Sequence, residues 1–258
     1  MNKSLVKNLH LWQFDSLAND PSVKHFVTDR KSGKGEKEFN LSYSSVPDRN
    51  EVHQNRMMLA DAMGINESCL YFPSQVHKTK IVNVKRSTSK YDVLETDALI
   101  TDVKGICIAV MSADCVPILL YDFKNKAVGA VHSGWRGTVA KILEKTLQEM
   151  KLKFGTEGKD LVACIGPSVC QDSYEVGEEV VMEVTKAFGY ESGLMVTQPN
   201  NKAKLDLWLA NKIQLLEFGV DASRIEVSDL CSVKNNSHFF SARKGDGGRY
   251  AAGIMLTD

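Results

Sequence analysis

The chain has 258 residues, enough to bury a substantial core as one large domain or two small ones. Its 32 Lys and Arg balance 32 Asp and Glu, so no global field draws it to nucleic acid or an anionic membrane. The 43% hydrophobic and 25% charged fractions are those of an ordinary soluble globular protein, without an apolar run long enough for a membrane span.

The opening stretch MNKSLVKNLHLWQFDS never sustains the apolar segment of a secretion signal, and the expected compartment is the cytoplasm. Residues 29–37, DRKSGKGEK, read as a loose polar loop. A first helix is expected over 51–63, with Asn50 as N-cap and Gly64 as its stop. Strands are expected over 81–85, 98–101, 106–112, 116–121 and 127–132, the last two joined by the turn DFKNK. A second helix follows over 139–153, with Thr138 as its cap, then a strand over 161–165. A third helix over 177–188 stops at Gly189, and a fourth over 205–218 stops at Gly219, with Asp206 as a dipole partner near its start. Short strands over 225–227, 239–242 and 250–256 complete the chain. The runs ICIAVM, VPILLY and AVGAV are near-continuously apolar, as for strands covered on both faces. Helices and strands do not alternate regularly, and no phosphate-binding glycine motif appears. These patterns predict an α+β fold, a single domain over 1–258 with a mixed β-sheet core flanked by helices.

The hairpin over 116–132 carries unusual chemistry. Its midpoint falls in the turn, so Cys115 and His132 are expected opposite or diagonal across the ladder, roughly 5 to 8 Å apart at Cβ. That spacing lets a sulfur and an imidazole nitrogen converge on one ion, and SQVH supplies His77 before another strand. Two His and one Cys leave a tetrahedral zinc with an open position, the pattern of a catalytic site. A Cys115–His132 nucleophile–base pair competes with this reading. The segment GWRGT, residues 134–138, is a strand-to-helix turn with two glycines and Arg136, suited to a phosphate or carboxylate. The other cysteines, at 69, 107, 164, 170 and 231, lack any C-x-x-C spacing and are expected mostly as small buried thiols; Cys170 falls in a loop.

Taken together, SQVH, TDALIT, SADCVPILLYD, AVGAVHSGWRGT, IGPSVCQDSYEVG, LDLWLAN and FFSARKGDGGR resemble the YfiH-type family from about residue 26 to 256. Its members go by the names laccase-domain protein or polyphenol oxidase, peptidoglycan editing factor and purine nucleoside phosphorylase. The resemblance implies one α+β domain of the YfiH-like, cysteine-hydrolase-type fold. It also implies a metal, usually zinc and less readily copper, on His77, Cys115 and His132. The implied activity is phosphorolysis of adenosine, inosine, guanosine and methylthioadenosine, with adenosine deamination at the same site. Nucleoside and phosphate are then the partners, and no nucleic acid, membrane or protein partner is implied. Arg56, Arg136 and Arg243, with Arg249 as a further candidate, are the cations available for phosphate or ribose. Asp114, beside a ligand, is a candidate proton shuttle, though the strand pleat argues against it. Two alternatives remain: a peptidoglycan-editing amidase using Cys115 and His132, and a copper oxidase. The six histidines contain no H-x-H pair, which a multicopper oxidase needs. Departures from the family pattern include KSGKGEKEF after Arg30 and Ser173 before Tyr174, where many relatives have Cys.

Overall fold

The computed structural model describes residues 1–33, 38–44 and 49–257. Its strands, in chain order, are β1 (Asn2–Val6), β2 (Leu9–Gln13), β3 (Val23–Thr28), β4 (Leu70–Tyr71), β5 (Ile81–Asn83), β6 (Ala98–Thr101), β7 (Cys107–Ser112) and β8 (Val116–Asp122). They continue with β9 (Ala127–Ser133), β10 (Leu161–Ile165), β11 (Glu175–Val176), β12 (Met195–Gln198), β13 (Lys202–Leu205), β14 (Ile225–Val227) and β15 (Tyr250–Leu256). The helices are α1 (Asp15–Ala18), α2 (Arg49–Met63), α3 (Trp135–Val139), α4 (Ile142–Phe154), α5 (Glu178–Phe188) and α6 (Leu207–Glu217).

One six-stranded sheet has the order β1-β2-β3-β15-β7-β4, a second β14-β10-β8-β9-β6-β5, and a small third sheet β11-β13-β12. Both large sheets are mixed: β4 with β7, β10 with β14 and β5 with β6 run parallel, the other pairs antiparallel. The two sheets pack face to face. Ile108, Val110, Ala252 and Ile254 of the first share a buried cluster with Leu99, Leu119, Val128 and Ala130 of the second. On the far side of the second sheet, Ile118, Leu120 and Val131 pack with Leu143, Leu147 and Met150 of α4 and with residues of α5 and α6. The far side of the first sheet meets Leu59, Ala60 and Met63 of α2. Four layers result, and both faces of β7, β8 and β9 are buried, which is why the runs ICIAVM, VPILLY and AVGAV are apolar. A Cβ on Gly129 would lie 3.2 Å from Leu120 and 3.3 Å from Met150 Sδ, so this glycine lets α4 sit close over β9. The α+β class with mixed sheets and flanking helices is the one predicted. The prediction of one sheet core is refined to two facing sheets.

Several local expectations change. Residues 239–242 form no strand: Phe239 and Phe240 are fully buried, but the chain there turns, with Ser241 N–H donating to Asp246 Oδ2 at 2.8 Å. The second helix is two. Lys141 adopts a left-handed φ of 61° that separates α3 from α4, so Thr138 caps nothing and instead donates to Gly134 O at 3.0 Å. Asn50 lies inside α2 rather than before it. Leu205 closes β13, and Asp206 is the N-cap of α6, accepting from Leu209 N–H at 2.9 Å. Of the expected loop over 29–37, residues 34–37 lie outside the described residues. Among the described residues no helix is long and apolar enough to cross a membrane.

Candidate metal centre

The β8–β9 ladder pairs Val116 with Ser133 and Pro117 with His132. The hairpin is therefore centred one residue later than its sequence midpoint, and Cys115 sits diagonally from His132, just outside the ladder. Beside them β6 pairs Ala98 with Val131, which brings Asp97 against His132. The His132 N–H donates to Asp97 O at 2.8 Å, and its ring Nδ1 meets Asp97 Oδ1 at 2.8 Å. With Nδ1 engaged, Nε2 is the nitrogen left to face a ligand.

The same carboxylate organises His77. That residue has a left-handed φ of 59°, which curls the chain so that consecutive N–H groups of Val76, His77 and Lys78 donate to Asp97 at 3.2, 2.9 and 2.8 Å. Asp97 has no solvent exposure. Burial alone would raise its pKa, but the His132 ring and the N–H groups of Lys78 and His77 hold it below the usual carboxylate range.

One donor atom each from His77, Cys115 and His132 lies within 4.8 Å of the others. His77 Nε2 is 3.7 Å from Cys115 Sγ, and the two imidazoles stand nearly perpendicular with centroids 4.9 Å apart. A Cβ on Gly134 would sit 2.8 Å from Cys115 Sγ and 3.1 Å from His77 Cδ2. The glycine keeps the space between the donors clear, and the donor chemistry suits zinc or copper. Burial opposes ionisation of Cys115, yet His132 and His77 pull its pKa down to about 6. Burial likewise opposes charge on His132, but Cys115 and the Asp97 bond raise it to about 9. The thiolate needed by a metal, or by a nucleophile, is thus favoured at neutral pH.

The predicted cations separate into two groups. Arg243 Nη2 donates to Glu175 O at 2.8 Å, and its Cζ lies 4.9 Å from the Tyr174 ring centroid. Arg136 is exposed, stacked 4.2 Å over Trp135. Tyr174 ties these to the centre: burial first, then the charges of Cys115 and Asp114 against those of Arg243 and Arg136, push its phenol up to about 12. Arg56 is elsewhere. It donates twice to Leu41 O, at 3.0 and 2.8 Å, between the rings of Tyr43 and Phe72, and burial lowers its pKa to about 10. It approaches the centre through Met111, whose backbone is bonded both ways to Gln75 at 2.7 and 2.8 Å. Arg249 folds back onto Gly247 O and Gly248 O. The turn over 134–138 opens a helix of only five residues, so its dipole adds little to an anion site.

Asp114 departs from the shuttle expectation. Its φ is 89°, and its carboxylate is held by Ser232 Oγ at 2.6 Å and Arg243 N–H at 2.8 Å, while its carbonyl accepts from Val169 N–H at 3.0 Å. It fixes the loops that carry Arg243 and Tyr174. Asp97 and Ser232 were not singled out by sequence reasoning, and Gly134 entered it only as part of a turn suited to an anion. Asp97 stands in TDALIT, but nothing in its spacing announces a partner 35 residues away.

A four-layer α/β/β/α arrangement with a His-Cys-His donor set at one end of the central strands of its second sheet defines a candidate metal centre. The chain belongs to the family described as multi-copper polyphenol oxidoreductase laccase, which it matches over residues 24–257. It is 37% identical to a purine nucleoside phosphorylase of Bacteroides thetaiotaomicron, over 98% of each chain. It is 34% identical to adenosine deaminase RL5 of an unknown prokaryotic organism, over 92% of this chain and 94% of that one. The fold superposes on YfiH of Bacillus licheniformis with a TM-score of 0.88, 27% identity and 97% coverage of both chains. YlmD of Geobacillus stearothermophilus gives the same TM-score and coverage at 28% identity.

Proposed function

We propose that this chain is a zinc-dependent purine nucleoside phosphorylase, acting on adenosine, inosine, guanosine or methylthioadenosine with phosphate, and deaminating adenosine at the same site. The observation that carries this reading is the gathering of His77, Cys115 and His132 donors within 4.8 Å, beside the Tyr174 wall on which Arg243 packs. The whole-length similarity to a purine nucleoside phosphorylase and to an adenosine deaminase supports it. Zinc at this site would supply Lewis-acid polarisation.

In phosphorolysis a phosphate oxygen bonds to ribose C1′ while the C1′–N9 bond breaks and its electron pair leaves with the purine. Arg243 and Arg136 are the cations that neutralise the phosphate, and Asp114 holds the Arg243 backbone in place. Asp97 keeps the proton of His132 on Nδ1, leaving Nε2 as a donor. A multicopper relay is disfavoured because one group of three metal-binding side chains occurs among the described residues.

The test is incubation of zinc-loaded protein with adenosine and inosine, with and without phosphate, with purine base, ribose phosphate and ammonia measured. Phosphate-dependent release of base supports phosphorolysis, and ammonia from adenosine supports deamination. Absence of all three products overturns the proposal. The favoured thiolate of Cys115 beside His132 sustains a second reading, a cysteine amidase acting on a cell-wall precursor. That enzyme would survive a strong chelator and lose activity when Cys115 is alkylated. An intense blue absorption would instead point to copper.

A further inference from the structure

The six thiols occupy different settings. Cys107 and Cys164 are fully buried, and burial pushes both far above the ordinary thiol range. Cys115 belongs to the metal centre. Cys170 and Cys231 lie together on two loops outside it. Cys170 precedes the short turn Gln171–Ser173, and Cys231 forms an isolated parallel bridge with Ser168. The Cys170 N–H donates to Cys231 Sγ at 3.3 Å. Ser173 Oγ lies 3.5 Å from the sulfur of Cys170 and 3.7 Å from that of Cys231, so both thiols meet one hydroxyl. Cys170 is half-buried, within reach of a small solute, whereas Cys231 is buried beneath it.

We infer that Cys170 and Cys231 are a redox-active pair that peroxide converts reversibly to a disulfide linking the two loops. The half-buried member, Cys170, is the more accessible and reacts first. The Cys170 thiolate attacks one peroxide oxygen, the O–O bond breaks, and the departing hydroxide is protonated to water, leaving Cys170 as a sulfenic acid. The Cys231 thiolate then attacks the Cys170 sulfur and expels hydroxide, which also leaves as water. In total two thiols and one hydrogen peroxide give one disulfide and two waters, with both sulfurs oxidised and the peroxide reduced.

The surroundings suit each step. Burial disfavours a Cys231 thiolate, but the Cys170 side chain and N–H, the Lys234 N–H and the Ser173 hydroxyl outweigh it and draw the pKa below its ordinary value. The Lys234 ammonium, paired with Asp172 at 2.8 Å, adds positive charge near both sulfurs.

Position gives the bond its interest. Val169, next to Cys170, donates to the Asp114 carbonyl, and Ser232, next to Cys231, donates to the Asp114 carboxylate. A bond between the sulfurs therefore joins the two loops that grip the residue preceding Cys115. This inference concerns the thiols alone and does not depend on the substrate.

The test uses the full chain, reduced and desalted, with and without added zinc. It is exposed to a small excess of hydrogen peroxide, blocked with iodoacetamide and mapped by peptide mass. The expected result in both arms is a cross-linked peptide pair joining Cys170 to Cys231, abolished by dithiothreitol. In Cys231→Ser the product becomes a sulfenic acid on Cys170 that dimedone traps. The inference is overturned if the wild-type map lacks the Cys170–Cys231 link, or if the principal link uses Cys115. The wild-type map decides by itself, so the test holds even where the variant folds poorly.

Discussion

Replacing Asp97 by Asn removes a charge from a carboxylate that accepts three backbone N–H groups and the His132 ring, all within 3.2 Å. Asparagine keeps one acceptor oxygen and puts an NH₂ where the second oxygen stood, so either His132 Nδ1–H or an N–H of the 76–78 turn faces another donor. A hydrogen bond to a charged group contributes about 1.5–3 kcal/mol. Losing one such bond at His132 then weakens zinc binding about 10- to 100-fold, the range expected when the partner of a metal-bound imidazole is removed. The 76–78 turn also loosens, so the metal-free variant should melt several degrees lower, about 4–8 °C for about 2 kcal/mol. Competition against a chromophoric zinc chelator measures the affinity, and circular dichroism establishes that the variant is folded. A folded Asp97→Asn protein that binds zinc within twofold of wild type would refute the reasoning.

Gly134→Ala should lose at least tenfold in zinc affinity with little change in fold, because its Cβ would crowd Cys115 Sγ at 2.8 Å while its φ of −74° suits alanine; the same chelator competition reads it. Gly253→Ala should destabilise by about 1–3 kcal/mol, since its Cβ would meet Phe26 Cζ at 2.5 Å on the α2 side of the first sheet, and urea unfolding gives the value. His25 is buried, with Nε2 accepting from Phe14 N–H at 2.8 Å, and desolvation lowers its pKa to about 4. It folds neutral. Its contribution is therefore complete above the unfolded pKa of 6.5 and is lost as pH falls toward 4, by up to about 3 kcal/mol. Urea midpoints between pH 7 and 4.5 should fall more steeply in wild type than in His25→Gln, and parallel slopes would contradict the assignment. In metal-free protein, alkylation of Cys115 should follow a midpoint near pH 6 and be suppressed by added zinc, as rate measurements against pH will show.

The central strands were legible because burial on both faces writes a continuous apolar run, and the hairpin led to the Cys115–His132 pairing with an error of one residue in register. Less legible were the outer strands. β1 and β2 join through Lys7 and Asn8, both at positive φ, and β12 and β13 through a loop in which Asn200 and Asn201 do the same. Such left-handed asparagine turns are a hairpin signal in the sequence, but the flanking strands are short and half-exposed, so alternation was weak. The buried pair Phe239-Phe240 misled in the opposite sense, since apolar side chains in an irregular loop look like strand. Asp97 escaped notice for another reason: it organises His77 and His132 only because β6 lies beside β9, a pairing that no local pattern encodes.

Strand β15 sits between β3 and β7, with Gly253 facing Phe26 on one side and Ala109 on the other. Both neighbours precede it by more than a hundred residues of chain. During synthesis the first sheet must therefore wait with two halves unjoined and their edges bare, while every strand of the second sheet has already been translated. A ribosome stalled before Tyr250 would hold a chain with open, adhesive strand edges, the kind of intermediate that chaperones recognise.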